Sequence, residues 1–270
     1  MNLVLGSTSQ LSQYFPDSYA KVSSREIDLE ALTKTRWDSI YICFAEQRTY
    51  LANATDENIR NLFWTINVDK TLSIIERLQE VTDKIVYYST AELWNNTHGP
   101  VKVTDPYSYH DNNYTRSKHQ ITEILKNKEK YPKVSILYPF NFNSIHRGDQ
   151  YLFGKVFKSL INREPVTVGD VYYYRELLHP KMVVDASIKA KAGIDEIVGS
   201  GRTVFVKDFI ELLYLYSGLS YNDLVTEETS HQSIYRKNIF YSAVRNESYD
   251  VDQLIDLTLK DLESKTRREV

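Results

Sequence analysis

Asn2-Leu3-Val4-Leu5-Gly6-Ser7-Thr8-Ser9-Gln10-Leu11-Ser12 opens the chain, and its reading decides the fold. The stretch Asn2 to Leu5 suits a short apolar strand that stops at Gly6. A Gly/Ser/Thr turn follows, then a brief helix that Pro16 ends. A strand that runs through a tight small-residue turn into a helix is a phosphate-binding arrangement. Backbone N–H groups and the helix dipole face the anion there. An ordinary strand-to-helix turn would show the same letters, so the neighbouring elements have to decide.

Working outward, Tyr19 to Val22 can form a second strand. Trp37 to Phe44 forms a third, with Ile40, Ile42 and Phe44 on one face. Residues 57–80 carry helical spacing through Ile59, Leu62, Phe63, Ile66, Leu72, Ile75 and Leu78. Lys84 to Tyr88 is a fourth strand, Thr115 to Asn127 a helix, and Val134 to Leu137 a fifth strand. Strands alternating with helices imply a parallel sheet covered on both faces, an α/β fold of the doubly wound Rossmann type.

The alternation loosens after about residue 140. Pro165 to Gly169 reads as strand and turn, and helical stretches follow at 181–197, 206–217 and 251–266. The expected organisation is a dinucleotide-binding domain over 1–140. A smaller substrate lobe over 141–270 would sit at the carboxyl ends of the strands, with some segments returning to the sheet. The charged tail from Lys260 reads as a solvated helix end.

Composition narrows the function classes. The chain has 270 residues, 42% of them hydrophobic, enough for a sizeable core. No apolar run approaches the ~20 residues of a membrane span, and the N-terminus lacks the basic start and long apolar stretch of a signal peptide. The net charge of -3 gives no field that would draw nucleic acid. Cys43 is the only cysteine and lies in the apolar run Ile40 to Phe44, so it reads as a buried strand thiol in a reducing compartment. These features point to a cytoplasmic protein with neither a membrane nor a nucleic-acid partner. The 21 tyrosines include some expected in a cleft or an interface, since each offers area and one polar tip.

The sharpest chemical motif is Tyr114-Thr115-Arg116-Ser117-Lys118. A tyrosine and a lysine four apart lie on one helix face. The ammonium can then lower the phenol pKa and make Tyr114 an acid/base near neutrality. A second copy, Tyr151 to Lys155, follows the fifth strand. The end of the second strand selects a nicotinamide cofactor: a carboxylate there would hold a free ribose hydroxyl, and a cation a 2′-phosphate. Ser24 and Arg25 favour NADP(H), with NAD(H) as the alternative. No metal site is expected.

Taken together, these motifs and others in order resemble the extended short-chain dehydrogenase/reductase family that works on sugar nucleotides. The likeness runs over roughly residues 2 to 220. The family's Gly-x-x-Gly-x-x-Gly loop is Gly6-Ser7-Thr8-Ser9-Gln10-Leu11-Ser12 here, with Ser9 and Ser12 in place of two glycines. The resemblance implies cofactor contacts at Gly6, Thr8, Ser9, Gln10 and Leu11. It adds Asp28 beside the adenine, Ala45 of Phe44-Ala45-Glu46-Gln47 under the cofactor, and Pro139 beside the nicotinamide. Tyr114 opens the helix after the fourth strand, where the family carries its motif, so the Tyr151 copy reads as coincidence.

In the same family Ser89-Thr90-Ala91-Glu92 resembles Ser-Ser-x-Glu, which makes Thr90 the catalytic hydroxyl. Glu92 is a base in some members and structural in others. The acid that several 4,6-dehydratases carry before it is Ala91 here. Asn67 resembles a structural asparagine of the Asn-Val-x-Gly-Thr helix. Asn141, in Tyr138-Pro139-Phe140-Asn141, and Arg175, in Arg175-Glu176-Leu177-Leu178-His179, resemble residues that hold a nucleotide-sugar substrate. Val198-Gly199-Ser200-Gly201 resembles a strand-turn of the substrate lobe.

The resemblance implies an NAD(P)-dependent enzyme acting on a nucleotide sugar. The expected activity is 4-ketoreduction in deoxysugar or surface-polysaccharide synthesis, and a homodimer through paired helices is a further implication. A 4-epimerase or dehydratase is the alternative. A cofactor-degenerate binding protein is the reading from another class, suggested by Ser9, Ser12 and the short first helix.

Overall fold

The computed structural model describes residues 1–228, 241–246 and 249–266. Six strands form one sheet: β1 (Asn2–Leu5), β2 (Ala20–Val22), β3 (Trp37–Ile42), β4 (Thr82–Tyr88), β5 (Val134–Pro139) and β6 (Glu196–Val198). Their order is β6-β5-β4-β3-β1-β2, and every pairing is parallel. Leu3, Leu5, Ile40, Ile85, Val86, Ile136 and Leu137 are fully buried, as expected of strands covered on both faces. The sheet has the Rossmann-type, doubly wound architecture. Its strand order reverses between β1 and β3, and the crevice at such a reversal is where open α/β sheets bind ligands.

Four helices of the sheet's own unit bear on the site: α1 (Leu29–Thr33), α2 (Glu57–Trp64), α3 (Thr71–Leu78) and α4 (Asn113–Leu125). Alternation along β4 shows how the two faces are covered. Tyr88 donates to Ser187 Oγ at 2.7 Å, and Lys84 Nζ donates to the carbonyls of Ile188 and Ala190 at 3.1 and 3.0 Å. This face therefore meets the helix Pro180–Lys189. From the other face, Tyr87 receives Lys118 and Ser89 bonds Thr122, both on α4.

Two expectations about elements need correction. The periodicity over 181–197 does not form one helix: the helix ends at Lys189, and Glu196–Val198 is the sixth strand. Lys84 holds the last carbonyls of that helix, and Gly193 turns the chain at φ 75° against the Pro132 carbonyl. Asp195 then accepts the Ile136 amide at 2.8 Å and the Lys128 ammonium at 2.7 Å, which pins β6 beside β5. Val198 thus ends an edge strand of the six-stranded sheet and belongs to the sheet's own unit. The long stretch 57–80 is also divided: α2 and α3 are joined by a π-helical segment, Thr65–Lys70.

The chain separates into two compact units. The first comprises Met1–Asn96, Val103–Pro139 and Val184–Val198, and the second Thr97–Lys102, Phe140–Val183 and the residues from Gly199 onward. The second unit has its own core. The helices Leu152–Asn162, Val206–Tyr216 and Val251–Thr266 contribute Phe153, Phe157, Phe209, Leu213 and Leu254 to it. Short pairings bind its loops, Val166–Val168 with Val225–Glu227 and Gly99–Val101 with Tyr241–Ala243, both parallel. No helix among the described residues is long and apolar enough to cross a membrane.

Asp195 gives a direct check on this architecture. Asp195→Ala leaves the Ile136 amide and Lys128 without their carboxylate, which should lower unfolding stability by about 2 kcal/mol. Urea unfolding measures it, and an unchanged midpoint would contradict the role assigned to this residue.

Candidate active site

At the end of β1, Gly6 takes φ 103°, a region L side chains rarely adopt. A Cβ there would lie 3.0 Å from both the Cys43 carbonyl carbon and the Phe44 nitrogen. Only glycine lets the turn run this close to the end of β3. The Gly6 and Ser7 amides both donate to the Val22 carbonyl, at 2.8 and 3.1 Å, and the Ser9 amide donates to Gly6 at 3.0 Å. These three N–H groups therefore face into the protein.

Ser9 and Ser12 wire the turn from inside. Ser12 is fully buried, and its hydroxyl lies 2.6 Å from the Ser7 carbonyl and 2.7 Å from the Ser9 carbonyl. Ser9 Oγ accepts the Ser12 amide at 3.2 Å and also bonds the Cys43 thiol. The helix after this turn is a single 3-10 turn, Leu11–Tyr14. Thr8 is exposed, while Gln10 and Leu11 are buried. Burial pushes the Cys43 thiol well above its ordinary range; the thiol is buried as expected, but it lies one residue past β3 and not within the strand.

The end of β2 carries Arg25, exposed, with its amide on Ser23 Oγ at 3.3 Å. Asp28, also exposed, caps α1 by accepting the Ala31 amide at 3.1 Å. Lys70 donates to the Ser24 carbonyl at 2.7 Å and ties this loop to the π-helical segment.

Beyond β3, Ala45 is half-buried, and the neighbouring Glu46 is buried. Burial raises the Glu46 carboxyl, but the Arg48 guanidinium and amide outweigh it and hold the group below its ordinary value. Asn67 brackets this loop: it accepts the Glu46 amide at 2.7 Å and donates to the Glu46 carbonyl at 3.0 Å. The same side-chain amide donates to Ser117 Oγ on α4 at 2.9 Å. Asn67 sits inside the π-helical segment, a distortion that often marks a functional region.

The Tyr-x-x-x-Lys helix packs on the carboxyl end of β4. Asn112 caps α4 reciprocally with Thr115, which places Tyr114 in the first turn, half-buried. One turn later Lys118 is buried. Its Nζ donates to the Tyr88 carbonyl at 2.7 Å and the Tyr87 hydroxyl at 3.3 Å, and lies 4.8 Å from the centre of the Tyr87 ring. Burial pulls Lys118 down to about 7. Thr90, buried two residues past Tyr88, accepts the Glu92 amide at 3.2 Å and keeps its own proton to donate. Glu92 accepts from Asn95 Nδ2 at 2.7 Å, and Asn95 Oδ1 accepts the His110 amide at 2.8 Å. Pro139 is buried at the end of β5.

The described geometry thus gathers Thr90, Tyr114, Lys118 and Glu92 at one end of β4, with Gly6 to Ser12, Arg25 and Ala45 in the same unit. Asn141 and Arg175 belong to the second unit, both half-buried, with Arg175 donating to the Tyr241 hydroxyl at 3.2 Å. Its neighbour Glu176 is buried and accepts the amides of Ser200, Gly201 and Ala243. His179 is buried against Asp261 at 3.0 Å, with its Nδ1 accepting the Lys181 amide. The second Tyr-x-x-x-Lys copy lies at the start of the helix Leu152–Asn162 in the second unit, and Lys155 donates to the Thr167 carbonyl at 3.4 Å. Sequence reasoning did not single out Tyr87 or Asn95, and it read Ser12 only as standing where the resemblance expects a loop glycine. Tyr87 was findable from strand alternation, which places it on the same face of β4 as Ser89.

No group of His, Cys, Asp and Glu among the described residues could hold a metal ion. No protein-family model matches the chain, and no curated protein does. Solved structures share its fold over nearly its whole length. A double mutant of DesIV, a dTDP-glucose 4,6-dehydratase from Streptomyces venezuelae solved with NAD, has TM-score 0.74 at 14% identity, covering 97% of each chain. RMD from Pseudomonas aeruginosa, solved with NADPH, has TM-score 0.75 at 14% identity over 98% of each. A UDP-N-acetylglucosamine 4-epimerase from Methanobrevibacter ruminantium has TM-score 0.73 at 14% identity, again over 98% of each.

The buried lysine makes stability depend on pH. Its value in the folded protein, about 7, lies below the ~10.4 of a free lysine, so between these the unfolded chain binds more protons. The Lys118 contribution is therefore present at high pH and is lost as pH falls through 7. Lys118→Met should be more stable than wild type at pH 6, with the advantage shrinking toward pH 10. Urea unfolding across that range tests this, and a pH-independent difference would contradict it.

Proposed function

We propose that this protein is an NAD(P)-dependent oxidoreductase acting on a nucleotide-activated sugar, with reduction of a 4-keto sugar as its reaction. The observation that carries the reading is Lys118, a buried amine one helical turn from Tyr114 whose partners among the described residues are a carbonyl and a phenol. Such an amine suits a neutral polyhydroxyl ligand such as a ribose. The glycine-only turn at Gly6 and the exposed cation Arg25 suit the two ends of an adenine dinucleotide.

Thr8, Ser9, Gln10 and Leu11 would meet the pyrophosphate, chiefly through the backbone of Thr8 and Leu11. Arg25 would accept a 2′-phosphate, which favours NADP(H), while NAD(H) would find Asp28 at the same end. Ala45 and Pro139 would flank the cofactor. When bound, the reduced nicotinamide supplies a hydride to the sugar carbonyl carbon. Tyr114 gives its phenolic proton to the carbonyl oxygen as negative charge develops, and Thr90 donates a hydrogen bond to that oxygen. Lys118 lowers the cost of ionising Tyr114. Asn141 and Arg175 would hold the nucleotide diphosphate, Arg175 through its planar fork.

Glu92 bears on the choice among reactions. Its carboxylate is held by Asn95, and Ala91 stands where several dehydratases carry an acid, so dehydration has fewer groups to serve it. A 4-epimerase remains the second reading within the class, and retained NAD after purification would favour it. A binding protein without catalysis is the reading from another class. The inward-facing hydroxyls of Ser9 and Ser12 favour it, because they give a phosphate nothing.

Tyr114→Phe tests the mechanism. It should reduce turnover of a 4-keto-6-deoxyhexose nucleotide by at least roughly 100-fold, the scale of one general acid, while the variant still binds the nucleotide sugar. Deuterium from [4-2H]NADPH should appear at C4 of the product with the wild-type protein. Full activity in the variant would overturn the assignment.

A further inference from the structure

We propose that Tyr87 is a positioning residue for the Tyr114–Lys118 pair: its phenol accepts from Lys118 Nζ and keeps that amine charged and aimed along α4. The consequence for catalysis rests on the proposed roles of Tyr114 and Lys118, while the contact itself does not.

Three observations converge on Tyr87. Strand alternation sends Tyr88 to the Ser187 side of the sheet and Tyr87 to the side that α4 covers. Its oxygen accepts from Lys118 at 3.3 Å, and its ring lies 4.8 Å from the same nitrogen. Both side chains are buried, with Tyr87 1% exposed. A lysine in such a place needs acceptors or loses its proton. The Tyr88 carbonyl is one, and the Tyr87 phenol is the only side-chain acceptor it meets among the described residues. The ring face adds a second attraction for the cation.

The groups facing this amine are few. From its own helix comes Tyr114, which interacts electrostatically with Tyr87. From β4 comes Tyr87 itself. The π-helical segment reaches α4 through Asn67 on Ser117, an uncharged contact, and Glu92 of the turn after β4 is held by Asn95. Among the described residues no carboxylate contributes to the Lys118 proton affinity, which burial lowers. Burial and Tyr114 push the Tyr87 phenol well above its ordinary value, so it stays a neutral acceptor throughout the useful pH range.

Removing one oxygen should therefore cost the lysine its proton earlier. In Tyr87→Phe the ring persists and the acceptor is gone. Lys118 would then lose its charge at lower pH, and the alkaline limb of kcat/KM would move down with it. The KM for the sugar would not change.

The deciding experiment uses the cofactor-free full chain with lysines labelled at 13Cε. The resonance missing from Lys118→Met assigns Lys118. In the wild type it should titrate at about 7, and in Tyr87→Phe the midpoint should fall by about one pH unit, the scale of one hydrogen bond to a charged group. An equal midpoint in the two proteins would overturn the proposal. Should Tyr87→Phe fail to fold, the wild type decides alone: an NOE between the Lys118 Hε protons and the assigned Tyr87 ring supports the contact, and its absence overturns it. A chain that reduces no 4-keto sugar can still show the titration shift, so the two readings fail separately.

Discussion

Burial of the Lys118 amine between β4 and α4 is the constraint on which the rest of the site depends. A cation removed from water without a counter-charge is destabilising, and here the partners are a carbonyl and a phenol. Holding the lysine there requires α4 to sit at a fixed height on the sheet. The reciprocal cap at Asn112, the Asn67 bridge to Ser117 and the Ser89–Thr122 hydroxyl pair at 2.7 Å all set that height. The same contacts fix Tyr114 one turn earlier. A stability cost carried by one buried group is thus coupled to the placement of its neighbour, a pattern common at functional sites.

The loop after β1 follows a different logic. A glycine-rich loop gains close approach to a ligand through missing side chains. In this chain only Gly6 keeps that freedom, and it serves the packing of the turn against Cys43 and Phe44. Ser9 and Ser12 instead hold the turn by side-chain bonds to its own backbone. Two serine hydroxyls have replaced bareness with internal wiring. The turn keeps its course into the 3-10 helix, while the surface offered to an anion shrinks to fewer backbone groups.

Much of this could be read in the letters because periodicity reports burial. The five strands through residue 137 and the helix bearing Tyr114 follow from apolar alternation and spacing, since the same residues fill the sheet faces. The sixth strand was hidden. Ile194, Ile197 and Val198 fit a helical continuation from 181, and only the Gly193 turn and the Asp195 side chain, acting on residues some 60 positions earlier, convert them to a strand. Long-range bonds of this kind leave no local pattern. The site was legible where spacing carries chemistry, as at Tyr114 and Lys118. It was not legible at Tyr87, whose role depends on what lies across from it, nor at Ser12, whose hydroxyl looks like any other until its acceptors are known.

Fluorescence titration of the purified protein with NADPH and with NADH tests the central claim, that the Tyr114–Lys118 pair sits beneath a nicotinamide dinucleotide, most directly. Saturable enhancement of nicotinamide emission is expected, with NADPH bound more tightly than NADH through Arg25. Absence of binding to either, in protein that carries no cofactor of its own, would contradict the claim and leave the serine-wired turn as the mark of a protein that no longer binds dinucleotides.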